Sequence, residues 1–432
     1  MIRILYNLIV IPFLMIGALL ASVFSKKVHQ AFIDRRGTVK RIEKEIAKLS
    51  PFKKTVLFHA SSMGEFKQIL PVIERFADEK EKFNLVVSVF SPSAYRNLNK
   101  KDLEIIDIIT YIPFDYYWDT VNFINFINPS LVLISKHDVW PNFVLEIKKR
   151  DIPCYLVNAL YANDTKMGMW YVKPFFVSLF KNFTGIITID KVNRDNFYRI
   201  FPYDEKLFIC GDSRFDTVKK DAQKYKSSNE YSYLDFSKHI FIAGSTWQPC
   251  EELLIKVWKK IKERYHDAFL VLVPHEVNVE HIYKIEATCQ EHELQYQVYT
   301  ETNNYSNLKN KDLLIVDKVG MLASLYSKAS IAYVGGGFGK AGLHSVLEPA
   351  AYSLPVLFGP NLDKSPEAKD MVSLGCGLTI DDDSGLIEIV KSLWGNKVYY
   401  NQVCQLSNTF IEKRTGATEK IFDIVTGSLE KV

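Results

Sequence analysis

The stretch His59-Ala-Ser-Ser-Met-Gly-Glu-Phe66 sets one carboxylate, Glu65, among small side chains. The apolar run Thr55 to Phe58 before it reads as a buried strand, and the apolar spacing from Phe66 to Phe76 reads as a helix. A strand, a small-residue turn and a helix put Glu65 in the crevice beyond the carboxyl ends of an open α/β sheet, where such sheets bind ligands. Two readings of Glu65 stand. A carboxylate among unpaired N–H groups at a helix start is comfortable as an anion and serves as a cap partner. The same carboxylate at a crevice can take a proton from an acceptor hydroxyl as a general base. Taken alone, the stretch favours the first.

The second half of the chain carries a different set. Gly244-Ser-Thr246 lies between an apolar run and a helical period, so its backbone N–H groups can approach a phosphate. Val334 is followed by five glycines in the eight residues Gly335 to Gly342, a loop able to turn sharply and lie close to a ligand. It does not match the P-loop, and its dinucleotide spacing is imperfect. Next comes His344-Ser-Val-Leu-Glu-Pro349, where Ser345 and Glu348 have the spacing of a capping box. Glu348 can instead accept hydrogen bonds from vicinal ribose hydroxyls, and the preceding glycines favour that reading. His344 suits a sugar carboxylate or phosphate, or a plain turn. Pro274-His-Glu276 has the same ambiguity.

These residues need a frame. Apolar runs at 84–90, 131–135, 154–158, 185–189 and 207–210 alternate with helix-length segments such as 144–149 and 191–200, the pattern of a mainly parallel sheet covered on both faces. A second alternating series runs from His239 through strands near 268–273, 313–316, 331–334 and 355–358, with helices at 251–265, 279–292, 321–328, 345–352 and 366–374. A terminal helix is expected near 408–429. Between the series, the polar stretch 216–238 reads as a linker. No internal repeat is evident.

The chain of 432 residues is long enough for two or three domains, and its net charge of +4 is too small to indicate a nucleic-acid partner. The six cysteines are scattered, with no Cys-x-x-Cys pair, which argues against a disulfide framework or a zinc site. Ile4 to Phe24 is apolar apart from Tyr6, Asn7, Pro12, Gly17 and Ser22, about the length that crosses a bilayer. Lys26, Lys27, Arg35, Arg36, Lys40 and Arg41 follow it, and only Arg3 precedes it. The positive-inside rule then leaves the bulk of the chain cytoplasmic. A cleaved signal peptide is the competing reading, and Pro12 leaves open a helix lying in the membrane surface.

With these stretches in order, the chain resembles the 3-deoxy-D-manno-octulosonic acid (Kdo) transferases of lipopolysaccharide synthesis, a membrane-anchored GT-B glycosyltransferase family. The resemblance rests on His59 to Glu65, Trp140-Pro-Asn142, Gly211-Asp-Ser-Arg-Phe-Asp216, Ala243 to Thr246, and Leu325-Tyr through His344-Ser-Val-Leu-Glu-Pro-Ala-Ala351 to Pro355-Val-Leu-Phe-Gly-Pro360. It implies an α/β fold of two Rossmann-like, doubly wound domains facing a cleft. The expected parts are an anchor (1–25), an acceptor domain (26–215), a linker (216–238), a nucleotide-sugar domain (239–407) and a helix crossing back (408–432).

The implied reaction moves Kdo from CMP-Kdo to a hydroxyl of a lipid A precursor, with inversion, no metal and no cofactor, at the cytoplasmic face of a bacterial inner membrane. Glu65 matches the family's base, and Arg214 falls where the family has a charge-stabilising lysine. Lys136 and Asp138 occupy positions that are usually acidic, so Lys136 is a departure; Asp138 partly substitutes, or Lys136 binds the donor carboxylate. Donor contacts are expected from Gly244, Ser245 and Thr246, and from Pro274 and His275. Further donor contacts are expected from Gly320, Met321 and Leu322, from Gly336, Gly337 and Gly342, and from His344, Ser345, Leu347 and Glu348. Ser61, Ser62, Met63 and Gly64 face the acceptor. The aromatic stretch Met169 to Phe176 serves either the membrane interface or the core. Two rival readings are a sugar-nucleotide epimerase of the same architecture, which needs no lipid, and a catalytically idle membrane scaffold.

Overall fold

A computed structural model describes residues 2–98, 100–136, 138–161, 169–170, 172–301, 305, 307–339 and 342–429. Tyr171 and the glycine-loop residues 340–341 therefore lie outside the described residues. The chain forms two compact units, Met1–Asp216 with Thr415–Val432, and Thr217–Arg414.

The first unit has strands β1 (Lys54–Ala60), β2 (Phe83–Val89), β3 (Ile108–Tyr111), β4 (Leu131–Ser135), β5 (Cys154–Ala159), β6 (Gly185–Thr188) and β7 (Leu207–Ile209), in the spatial order β3-β2-β1-β4-β5-β6-β7. All pairings are parallel; Leu57 of β1, for example, sits between Val86 and Val132. Alternation along β1 sends Val56, Phe58 and Ala60 to one face, where they meet Phe66, Ile69, Val72 and Ile73 of the helix Met63–Ala77, while Leu57 joins Phe123, Ile124 and Phe143 on the other. Full burial of side chains of this size stabilises by roughly 1.5–3 kcal/mol each. The strand order reverses between β1 and β4, so the crevice of this sheet opens at their carboxyl ends.

The second unit repeats the plan with β8 (Ile240–Thr246), β9 (Phe269–Pro274), β10 (Tyr296–Val298), β11 (Leu313–Ile315), β12 (Ile331–Val334), β13 (Val356–Phe358) and β14 (Gly377–Thr379), ordered β10-β11-β9-β8-β12-β13-β14. Phe241 and Ala243 pack with Trp258 on one face; Ile240 and Ile242 pack with Tyr326 on the other. Its reversal lies between β8 and β12. Two close approaches of backbone to backbone require glycine there. A Cβ on Gly335 would lie 2.1 Å from the Ser245 carbonyl oxygen, and one on Gly337 would lie 2.7 Å from the Gly359 backbone.

Three sequence expectations change. The stretch 216–238 is not an open linker, because the helix Arg214–Lys226 runs through it and Ala222, Tyr231 and Leu234 enter the core of the second unit. Its apolar residues are too few and too unevenly spaced among Lys, Ser and Tyr to show a period. The single terminal helix is two, Lys397–Glu412 and Ala417–Thr426, parted at Gly416, whose φ of 93° only glycine adopts readily. Asp216 accepts the N–H groups of Gly416 (2.6 Å) and Thr418 (2.7 Å) and so fastens the last helix at its start. The helix after His344 starts later, at Leu347, with no side-chain cap, so Ser345 is an exposed loop residue and no capping box forms.

The last helix belongs to the core of the first unit, where Phe422 meets Phe76 edge to face at 4.7 Å and Ile421 is fully buried. Ile421→Ala is expected to cost about 3 kcal/mol, read as a lowered urea midpoint. Gly335→Ala is expected to cost about 3 kcal/mol because backbone must move. Gly320→Ala, where φ is 87° and space is open, should cost about 1 kcal/mol. Equal effects of the two glycine variants would contradict the close packing at Gly335.

Candidate active site

In the first unit the turn after β1 is tied down by polar contacts. Ser62 caps the helix Met63–Ala77 by accepting the Glu65 N–H at 3.3 Å, and Glu65 Oε2 accepts the Ser61 N–H at 2.7 Å. This is a capping box moved one residue toward the amino end. The cap reading of Glu65 holds for one oxygen, which closes the cap, and no described residue donates to Oε1. Met63 and Gly64 form the first turn behind Ser61 and Ser62.

Asp138 stands beside this turn. Its Oδ2 accepts from His59 Nε2 at 2.8 Å, from Trp140 Nε1 at 2.9 Å and from the Ser61 hydroxyl. His59 is fully buried and its Nδ1 lies 2.9 Å from Ser88 Oγ. The carboxylate that the sequence sets near Trp140 therefore holds Ser61, which in turn holds Glu65. Lys136, at the end of β4, adopts a left-handed φ of 62° with its N–H on the Val157 carbonyl, and it makes no salt bridge among the described residues.

Arg214 starts its helix with its guanidinium clamped on Asp212, at 2.8 Å from Nε and 2.6 Å from Nη2. The neighbouring Ser213 is buried, and its hydroxyl donates to the carbonyl of Gln68, one turn beyond Glu65 on the same helix. Asn158 Nδ2 donates to that carbonyl at 3.2 Å, and the Gln68 amide nitrogen is buried without a partner among the described residues. Thus Glu65, Gln68, Asn158 and the Asp212-Ser213-Arg214 run are linked at the carboxyl ends of β1, β5 and β7. Sequence reasoning missed His59, Gln68, Asn158 and Ser213. Only the Asn158 φ of 51° distinguishes one of them, and φ is not visible in residue types.

In the second unit, Gly244, Ser245 and Thr246 end β8, with Ser245 at a φ of 52° and Thr246 buried on Glu251 at 2.8 Å. Burial raises the Glu251 carboxyl above its ordinary range, while His281 at 3.1 Å opposes the shift. Gly335 N–H bonds the Gly244 carbonyl at 2.9 Å, His344 N–H bonds Gly335 at 3.1 Å, and Gly336 turns at a φ of 96° against the Gly342 carbonyl. His344 stands beside this glycine floor, next to Gly336, and is the end of a stack of three rings: Trp247 on His275 at 4.8 Å, and His275 on His344 at 4.3 Å. Trp247 Nε1 donates to His344 Nε2 at 3.0 Å, which fixes a neutral imidazole with its proton on Nδ1. Burial, with His275 adding to it, lowers the His344 pKa in keeping with that neutral form.

Pro274 ends β9 beside this group, and His275 N–H bonds the Thr246 carbonyl at 2.9 Å. Leu347 and Glu348 open the short helix after the loop, with Glu348 acting electrostatically on the buried Tyr326. Leu322 and Tyr326 pack over Gly244, and Met321 is buried beneath them, whereas Gly320 and Ser345 are exposed. Trp247 is the residue missed here; a lone aromatic after Gly-Ser-Thr carries no signal without its two histidine partners. Among the described residues, no group of three or more His, Cys, Asp or Glu is placed to hold a metal ion.

Residues 31–217 match the family model of the 3-deoxy-D-manno-octulosonic-acid transferases (Kdo transferases). A 3-deoxy-D-manno-octulosonic acid transferase of Haemophilus influenzae is 23% identical over 95% of this chain and 94% of its own length. A bifunctional glycosyltransferase/methyltransferase of Fusobacterium nucleatum is 24% identical over 90% of this chain, which spans 59% of the length of that protein. Among solved structures, the UDP-GlcNAc 2-epimerase of Neisseria meningitidis bound to UDP-GlcNAc superposes with a TM-score of 0.58 at 14% identity, over 85% of this chain and 98% of its own, a likeness of GT-B-type fold alone. With two Rossmann-like units, a match to the Kdo transferase family model over residues 31–217, and relatives that follow most of its length, this chain is similar to the Kdo transferases.

Proposed function

We propose that the protein transfers Kdo from CMP-Kdo to a hydroxyl of a lipid A precursor, with Glu65 as general base. The observation that carries this reading is the half-engaged Glu65 carboxylate at the switch point of the first sheet. A fixed carboxylate with one oxygen tied back can present the other to an acceptor O–H. As the hydroxyl oxygen attacks the anomeric carbon, its proton passes to Glu65 and the bond to the CMP phosphate breaks. Attack from the face opposite the leaving phosphate gives inversion.

Asp138 is the positioning residue in this scheme, since it acts through Ser61. The guanidinium of Arg214 and the ammonium of Lys136 supply positive charge for the donor carboxylate or the departing phosphate. The glycine floor of the second unit brings backbone close to the nucleotide phosphate, the Trp247-His275-His344 stack offers flat faces, and Glu348 takes the ribose hydroxyls. No resident cofactor or metal is needed. The apolar segment Tyr6–Phe24 brings the protein to the cytoplasmic face of an inner membrane, where a lipid acceptor resides.

Incubation with CMP-Kdo and a tetra-acyl disaccharide precursor should give Kdo-bearing lipid, unchanged by a chelator; interconversion of a UDP-sugar without an acceptor would favour the epimerase reading instead. Glu65→Gln should lower kcat by roughly 10²- to 10⁴-fold with little change in the KM for CMP-Kdo. A matched loss of turnover and CMP affinity would assign Glu65 to donor binding.

A further inference from the structure

The apolar segment at the amino end is held by the first unit at both of its ends. At the start, Arg3 Nη2 reaches Glu146 Oε2 at 3.1 Å and Arg3 Nε reaches Asn142 Oδ1 at 3.3 Å. Asn7 and Asn142 exchange two amide bonds of 2.9 and 2.8 Å, and Tyr6 interacts electrostatically with Asp115. The receiving groups are interior: Asn142 is fully buried, and Asp115 and Glu146 are 2% and 1% exposed. Tyr6 and Ile11 are themselves buried, at 7% and 5% exposure. At the far end, Ser25 caps the helix Lys26–Arg35, and that helix closes on Arg35, which is buried on the Phe90 ring and donates to the Ile112 carbonyl at 3.1 Å.

Length then decides the topology. From Ile11, the last buried apolar position, to Phe24 the helix rises about 20 Å. A bilayer core is roughly 30 Å thick, so a segment docked at Ile11 is too short to cross it. A crossing helix would also put Arg3, Tyr6 and Asn7 on the side opposite Asn142 and Glu146 and leave those buried groups without these partners.

Beyond the dock the helix is apolar and exposed around most of its girth, with Phe13, Ile16, Leu19, Leu20, Val23 and Phe24 each more than half exposed. Lys26, Arg36, Lys40 and Arg41 follow at once, and cations so placed suit an anionic leaflet surface. We infer that this segment lies along a single leaflet, sunk into the acyl region with the cations that follow it at the headgroups, so that its amino end lies on the same side of the membrane as the folded units. The inference takes from the proposed function only that the segment meets lipid.

The test is a protease site fused ahead of Arg3 in the full-length protein, followed in everted and right-side-out vesicles, with a second site in the exposed turn at Gly320 as the marker of the folded side. Cleavage of both sites from the same face is the expected result. Cleavage of the amino-terminal site from the opposite face, or only after detergent, would overturn the inference. Flotation of the purified protein with phosphatidylglycerol-containing vesicles is a separate readout: its failure would remove the membrane reading itself, whereas opposite-face cleavage with normal flotation would remove only the single-leaflet topology.

Discussion

The hydrogen bond from the Ser61 N–H to the Glu65 carboxylate is the interaction on which the account of the first unit depends. A parallel strand that ends in a crevice must hand its chain to a helix whose first N–H groups have no partner inside the helix. Ser62 and Glu65 meet that demand together, and in doing so fix the carboxylate at the point where the strand order reverses. Asp138 reinforces the arrangement from β4 by gathering His59, Ser61 and Trp140 on one oxygen. The residue assigned to proton transfer is therefore positioned by the same contacts that begin its helix. No separate scaffold is required.

A different constraint governs the second unit. There the limiting quantity is space, because Gly335 and Gly337 lie where a side chain would strike backbone. The close approach that excludes a Cβ lets Gly335 and Gly337 pack directly on the backbone of Ser245 and Gly359. The neutral state of His344 follows from accepting the indole proton. Small residues, stacked rings and a carboxylate at the next helix start suit the nucleotide that the proposed function assigns to this unit.

The layered α/β architecture was legible because buried parallel strands are near-continuous apolar runs, and β1, β4, β8 and β12 stand within a few residues of their expected places. Strands with mixed composition, such as Tyr296–Val298, carry too little pattern to be seen. The terminal helix pair hid for another reason: the break depends on Gly416 and on Asp216, a partner 200 residues away. The site divides in the same way. Glu65, Glu348 and the glycines announce themselves by type and spacing, whereas Gln68, Asn158, Ser213 and Trp247 gain meaning only from neighbours that the fold supplies. Ser345 shows the converse, since a capping-box spacing formed no cap once the tight loop delayed the helix to Leu347.

The central claim is that the Glu65 carboxylate removes the acceptor's proton, and a missing carboxylate can be lent from solution. The most direct measurement is turnover of Glu65→Ala at saturating CMP-Kdo, with and without added formate. The account predicts a near-inactive, folded variant whose Kdo transfer rises with formate concentration. Turnover near that of the unaltered protein in the absence of formate would contradict it.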